Sequence, residues 1–162
     1  ASQFALPGAV DLLRSLRQPP AGETPPEVAV LAATDPANPY GAALRVPPPG
    51  GRQPGRIVGA HVVLVDGALA AFLARGERLL LVWLPEAEPD RSRTARAVAT
   101  ALIGRARAAA PVDDPEAAGD APRGMLIEEI DGVPATSHAL APFLTAVGFS
   151  AGALGLRATF ER

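Results

Sequence analysis

Ile57 to Val65 reads Ile-Val-Gly-Ala-His-Val-Val-Leu-Val, and it is followed by Asp66-Gly67, the apolar run Ala68 to Ala74, the triplet Arg75-Gly76-Glu77, and a last apolar run from Arg78 to Leu84. Three short apolar runs, rich in β-branched residues and divided by Asp-Gly and by a charged glycine triplet, predict a three-stranded antiparallel meander over 57–84. Asp-Gly suits a type I′ turn, because both central residues of that turn need positive φ. The runs are almost continuously apolar instead of alternating, so the meander is expected to be covered on both faces.

Outward from the meander, Val28 to Ala33 is a short apolar strand that ends in the turn-forming run Thr34-Asp-Pro-Ala-Asn-Pro-Tyr-Gly41. Leu44 to Val46 reads as a further short strand, and Pro47 to Gly55 as a Pro/Gly loop carrying Arg52, with Arg56 at its exit. Upstream, Pro7 to Arg17 has helical spacing, and the proline-rich Gln18 to Pro26 reads as a linker. Downstream, Asp90 caps a helix from Arg91 to about Ala109. Its face Ala95, Val98, Ala99, Leu102 and Ala106 is apolar, and Arg93, Arg96, Thr100 and Arg107 lie opposite. Residues 110–124 form an acidic, Pro/Ala-rich loop expected to be mobile. Met125 to Ile130 is a strand, Ser137 or His138 caps a short helix ending at Gly148, and Leu154, Leu156, Ala158 and Phe160 form the buried face of a last strand. The fold class expected is α+β: an antiparallel β-barrel-like sheet (the meander plus strands near 28–33, 125–130 and 154–160) with two or three packed helices. The domain division expected is 1–26, belonging to a preceding module, and 27–162, the α+β domain.

Composition excludes several chemistries. The 162 residues carry a net charge of −2, so bulk electrostatics do not point to nucleic acid. There is no cysteine, hence no disulfide or thiolate metal site. With only His61 and His138, a zinc site is not expected, and no run approaches a membrane span. Every basic side chain is arginine, which fits a GC-rich genome. The chain does not begin with Met and reads as a piece of a longer protein.

Few groups suggest a reaction. Glu128 and Glu129 are adjacent on a strand and point to opposite faces. Asp113 and Asp114 fall in the acidic loop. His61 within an apolar strand reads as a hydrogen-bonded core or interface histidine, and His138 as a capping or surface residue. Asp35, Asn38 and Tyr40 crowd polar side chains into a proline-fixed turn. That turn is either a local Asx structure or a surface for a nucleotide or partner. Arg52 and Arg56, with Arg93, Arg96 and Arg107, would form a basic strip for DNA if the helix packs beside the loop; otherwise the helix face is simply solvated.

Gln3 to Arg14, Leu31 to Leu44, Pro54-Gly-Arg56, Gly59 to Gly67, Ile127 to Gly132, Ala146 to Phe149 and Gly155-Leu-Arg157 together resemble, in order, the extreme C-terminal region of the large helicase-related (Lhr) family of bacterial superfamily 2 DNA helicases. The resemblance implies a part of a DNA-repair protein whose helicase core, elsewhere in the chain, uses ATP and Mg to move 3′ to 5′. It implies winged-helix modules before this one, a β-barrel-like end, DNA and a homo-oligomer as partners, no membrane, and a cytoplasmic, nucleoid-associated location. The ATPase motifs are absent here, so no cofactor is expected in this segment. Two roles are implied: an accessory module supporting DNA engagement or assembly, or part of a glycosylase that excises uracil or another damaged base. The resemblance implies, from the glycosylase activity attributed to some members, a carboxylate near the very C-terminus. Here the tail reads Arg157-Ala-Thr-Phe-Glu161-Arg162, with no Asp, and Glu161 does not inherit that role. For the glycosylase role, Asp35, Asn38 and Tyr40 are the candidate catalytic residues, since a flipped base needs an aromatic wall and a nearby carboxylate or amide.

Overall fold

A computed structural model describes residues 6–15, 24–46, 54–108 and 124–160. Within them the chain runs α1 (Ala9–Ser15), β1 (Val28–Ala32), β2 (His61–Val65), β3 (Ala68–Leu73), β4 (Leu79–Val82), α2 (Asp90–Ala108), β5 (Gly124–Ile127), β6 (Glu129–Ile130), β7 (Val133–Pro134), a 3-10 turn (Ala135–Ser137), α3 (Ala141–Ala146), β8 (Ser150–Gly152) and β9 (Gly155–Thr159).

The meander forms as the sequence predicts. β2 pairs antiparallel with β3, and β3 with β4. Asp66 and Gly67 have φ of 50° and 78°, as a type I′ turn requires. A bulge between Val63 and Leu64 leaves Ala70 as the extra residue of β3. β1 adds at the edge, antiparallel to β2. Both faces are covered. On one face Val63, Val65, Ala71, Leu73, Leu80 and Val82 join the α2 residues Ala95, Val98, Ala99, Leu102 and Ala106. On the other, Val62, Leu64, Leu69 and Phe72 pack under Ala33, Ala60, Tyr40 and Val46. A strand buried on both sides has no polar face to alternate with, which is why the runs are unbroken.

The architecture is α+β, but the expected antiparallel barrel-like sheet is corrected in three respects. The described strands form two sheets, ordered β1-β2-β3-β4-β6-β7 and β5-β9-β8, and no closed barrel. The larger sheet is mixed, because β4 runs parallel to β6. The single strand expected over 125–130 breaks at Glu128, where the backbone N–H of Glu128 and of Glu129 both donate to the Arg78 carbonyl. That break lets β5 pair with β9 in the small sheet while β6 joins the large one. Gly155 makes the crossing close: at φ 136° a Cβ there would lie 2.2 Å from the Ile127 carbonyl oxygen. Leu154, expected on the buried face of the last strand, sits in the β8–β9 turn and is 70% exposed, whereas Leu156 and Ala158 are buried. Leu44 to Val46 is no strand; only an isolated bridge joins Tyr40 to Leu44.

α2 starts one residue before the predicted position. The Glu88 carboxylate accepts from Ser92 N and Oγ at 3.1 and 2.9 Å and so caps its first turn. α3 ends as expected: Gly148 has φ 116°, Phe149 N donates to Leu144 O, and the Phe149 side chain is buried.

Candidate nucleic-acid interface

The proline-fixed turn brings Asp35, Asn38 and Tyr40 together with Arg56, and the hydrogen bonds that the structure gives these side chains run almost wholly to backbone. Asp35 Oδ1 accepts from Ala37 N at 2.8 Å, closing an Asx turn. Asn38 is 2% exposed; its Nδ2 donates to Ala33 O and its Oδ1 accepts from Tyr40 N. Tyr40 Oη accepts from Leu69 N at 3.0 Å, tying the turn to β3. Arg56 reaches over the turn and donates to the carbonyls of Asn38, Thr34 and Asp35 at 2.8, 3.0 and 3.0 Å. The planar fork of a guanidinium suits three converging carbonyls, and it caps groups that no strand pairs. The cavity beside Asn38, Tyr40 and Arg56 measures about 10 Å³, the room of one water.

The arginines fall on two sides of the large sheet. Arg56 lies on the Val62–Phe72 face and α2 on the other. Arg93 and Arg96 line one groove of about 450 Å³ with Pro26, Val28, Ala97, Thr100 and Ala101. Arg93 donates from Nη1 to Asp66 Oδ2 at 2.8 Å and from Nη2 to Thr24 O at 3.1 Å. Arg96 is exposed with its guanidinium 6.0 Å from the Phe143 ring centre. Arg107, three turns further along α2, lies 5.4 Å from the Phe160 ring centre. Arg52, Asp113, Asp114 and Glu161 lie outside the described residues.

Other polar groups were not singled out as a set by the sequence. Glu77, at φ 61° in the β3–β4 turn, takes Arg105 Nε and Nη2 on one carboxylate oxygen at 2.9 and 2.6 Å. His61 lies beside this pair. Its pKa is pushed below the ordinary value by burial first and by Arg105 second, with Glu77 opposing. The expectation of a hydrogen-bonded histidine is corrected at one atom: the buried His61 Nδ1 has no partner. His138 has both nitrogens engaged, Nδ1 accepting from Leu140 N and Nε2 3.3 Å from Asp131 Oδ2, while Asp131 Oδ1 accepts from Val82 N. A histidine so held ties the β6–β7 turn to the start of α3. Only the Asp-Gly pattern at 131–132 hinted at this, and it marked a turn. Among the described residues no three His, Asp or Glu side chains gather in a way that would hold a metal ion, and no helix is long and apolar enough to cross a membrane.

Fold and site together define a small α+β module with a rigid, arginine-locked turn on one side of its sheet and an arginine-bearing helix on the other. No family model matches the sequence. It is 47% identical over 108 residues to a protein of Mycolicibacterium smegmatis described as "Lhr helicase/ probable uracil glycosylase", a match covering 65% of this chain. The chain spans 7% of the length of that curated relative. The likeness to a relative named as an Lhr helicase agrees with the resemblance that the motifs carry.

Proposed function

We propose that this chain is an accessory module of a DNA-repair helicase of the Lhr family, one that supports DNA engagement or assembly of the longer protein and performs no chemistry of its own. The likeness to a relative named as a helicase carries this reading. Its ATP and magnesium would be held by the helicase core. The residues present here do not fit ATP, because among the described residues no glycine-rich loop opens a helix. The commitment of Asn38, Tyr40 and Arg56 to backbone supports a structural use of the turn. DNA would be met by the exposed cations of α2, Arg96 and Arg107, with the winged-helix modules alongside. Cytoplasmic placement at the nucleoid follows from the same reading.

The relative's printed name favours a second reading, a share in excising uracil, for which Asp35, Asn38 and Tyr40 are the candidates. Base release from uracil-containing single- and double-stranded DNA separates the two. The 162-residue chain is expected to release none, while the whole protein's C-terminal region is the arm in which release would appear. Release by the chain alone, abolished by Asp35→Asn with an unchanged Tm, would overturn the accessory reading.

A further inference from the structure

The outer edge of β1 pairs with no described strand. Its polarity can be worked out. Asp66 N donates to Glu27 O and Ala33 N to Ala60 O, and the register sets Val28 opposite Val65 and Ala32 opposite His61. Glu27, Ala29, Leu31 and Ala33 therefore turn their backbone groups toward β2. Val28, Val30 and Ala32 turn theirs outward. Val28 and Val30 are each 39% exposed, and both stand on the α2 side of the sheet, opposite Val65 and Val63 of the α2-facing core. The groove of about 450 Å³ begins at Val28 and is floored by Ala97 and Ala101 of α2. Arg93 on its wall is already neutralised by Asp66. Arg96 and Thr100 on its rim are exposed, and among the described residues Arg96 faces no carboxylate.

We propose that this edge and groove dock an extended peptide segment of a partner protein, added as a strand beside β1, with an aliphatic side chain in the groove and a carboxylate two residues along on Arg96. Strand addition supplies main-chain bonds to Val28, Val30 and Ala32, and same-face side chains recur every second residue, which places the two anchors on the α2 side. The charge is complementary: one uncompensated cation stands over an apolar floor. Among the described residues that line the groove none is aromatic, which sets it apart from a single-strand nucleic-acid channel. The surface shares Arg96 with the DNA contact proposed above, so a bound peptide and DNA would compete for that guanidinium.

The test titrates the ¹⁵N-labelled 162-residue chain with a blocked octapeptide alternating valine and aspartate, and with its lysine-for-aspartate counterpart. The aspartate probe is expected to shift the amides of Val28, Val30 and Ala32 more than those of Ala29 and Leu31. Arg96→Glu is expected to weaken the aspartate probe by about tenfold or more and to favour the lysine probe. Thr100→Glu, on the same rim, is expected to act in the same direction and serves if Arg96→Glu loses its fold. No alternating shift at millimolar probe, or indifference to both variants, would overturn the proposal. So would an oligothymidylate moving the same amides when the peptide does not, or a self-association that protects them and excludes the peptide.

Discussion

At Asn38 a single buried amide connects three pieces of backbone. The side chain donates to Ala33 O and accepts from Tyr40 N, and the residue's backbone carbonyl accepts from Arg56 Nη1. Removing it strands buried polar atoms, which costs more than the bonds contribute. Asn38→Ala is expected to destabilise the chain by about 1–3 kcal/mol in urea unfolding. Arg56→Lys is expected to recover little of the loss seen in Arg56→Ala, because an ammonium does not span three carbonyls as a guanidinium does. His61 gives a pH dependence. Its folded pKa is depressed, so the folded chain binds fewer protons than the unfolded chain. The neutral form's stability is fully present above the unfolded value of about 6.5 and is lost as pH falls from there through the folded pKa. The Tm is expected to drop across that window, and His61→Gln is expected to flatten the drop; an equal slope in both proteins would remove His61 as the cause.

The elements differ in what their glycines do. Gly67 and Gly155 both have positive φ, but a Cβ at Gly67 meets nothing within 4 Å. Gly67→Ala is expected to cost only the left-handed backbone penalty, about 1–2 kcal/mol. Gly155→Ala pushes into the Ile127 carbonyl and separates β5 from β9, so it is expected to cost about 3 kcal/mol or more and to expose the amides of the small sheet to exchange. Leu102, 1% exposed between α2 and the sheet, is the helix's counterpart; Leu102→Ala is expected to cost about 2–5 kcal/mol, read by thermal or urea unfolding. These elements were legible where local rules govern them. The Asp-Gly turn, the apolar face of α2 and the glycine end of α3 each depend on residues a few positions apart. The break at Glu128 was not legible, because the group that bends the chain there is the Arg78 carbonyl, 50 residues away.

For the whole molecule, a net charge of −2 leaves little for counterion release unless cations gather. The sheet keeps Arg56 apart from Arg93, Arg96 and Arg107. If Arg96 and Arg107 carry the proposed DNA contact, the double Arg→Ala variant is expected to reduce the slope of log K against log salt by about two, one per phosphate, with the Tm little changed. An unchanged slope would leave assembly as the module's use. The candidate site was legible in part: Asp35, Asn38 and Tyr40 are near in sequence and do meet in one turn. What their side chains bond, and that Arg56 reaches back to lock them, depends on the second layer folding over the sheet.

The sequence by itself determined the meander, its cover on both faces and the apolar face of α2, because turn chemistry and hydrophobic run length are properties of neighbouring residues. Only the tertiary structure decided that the strands part into two open sheets, that β4 and β6 run parallel, and which arginines share a surface. Those outcomes rest on backbone groups finding partners dozens of residues away, and no local pattern encodes where an unpaired carbonyl will be met.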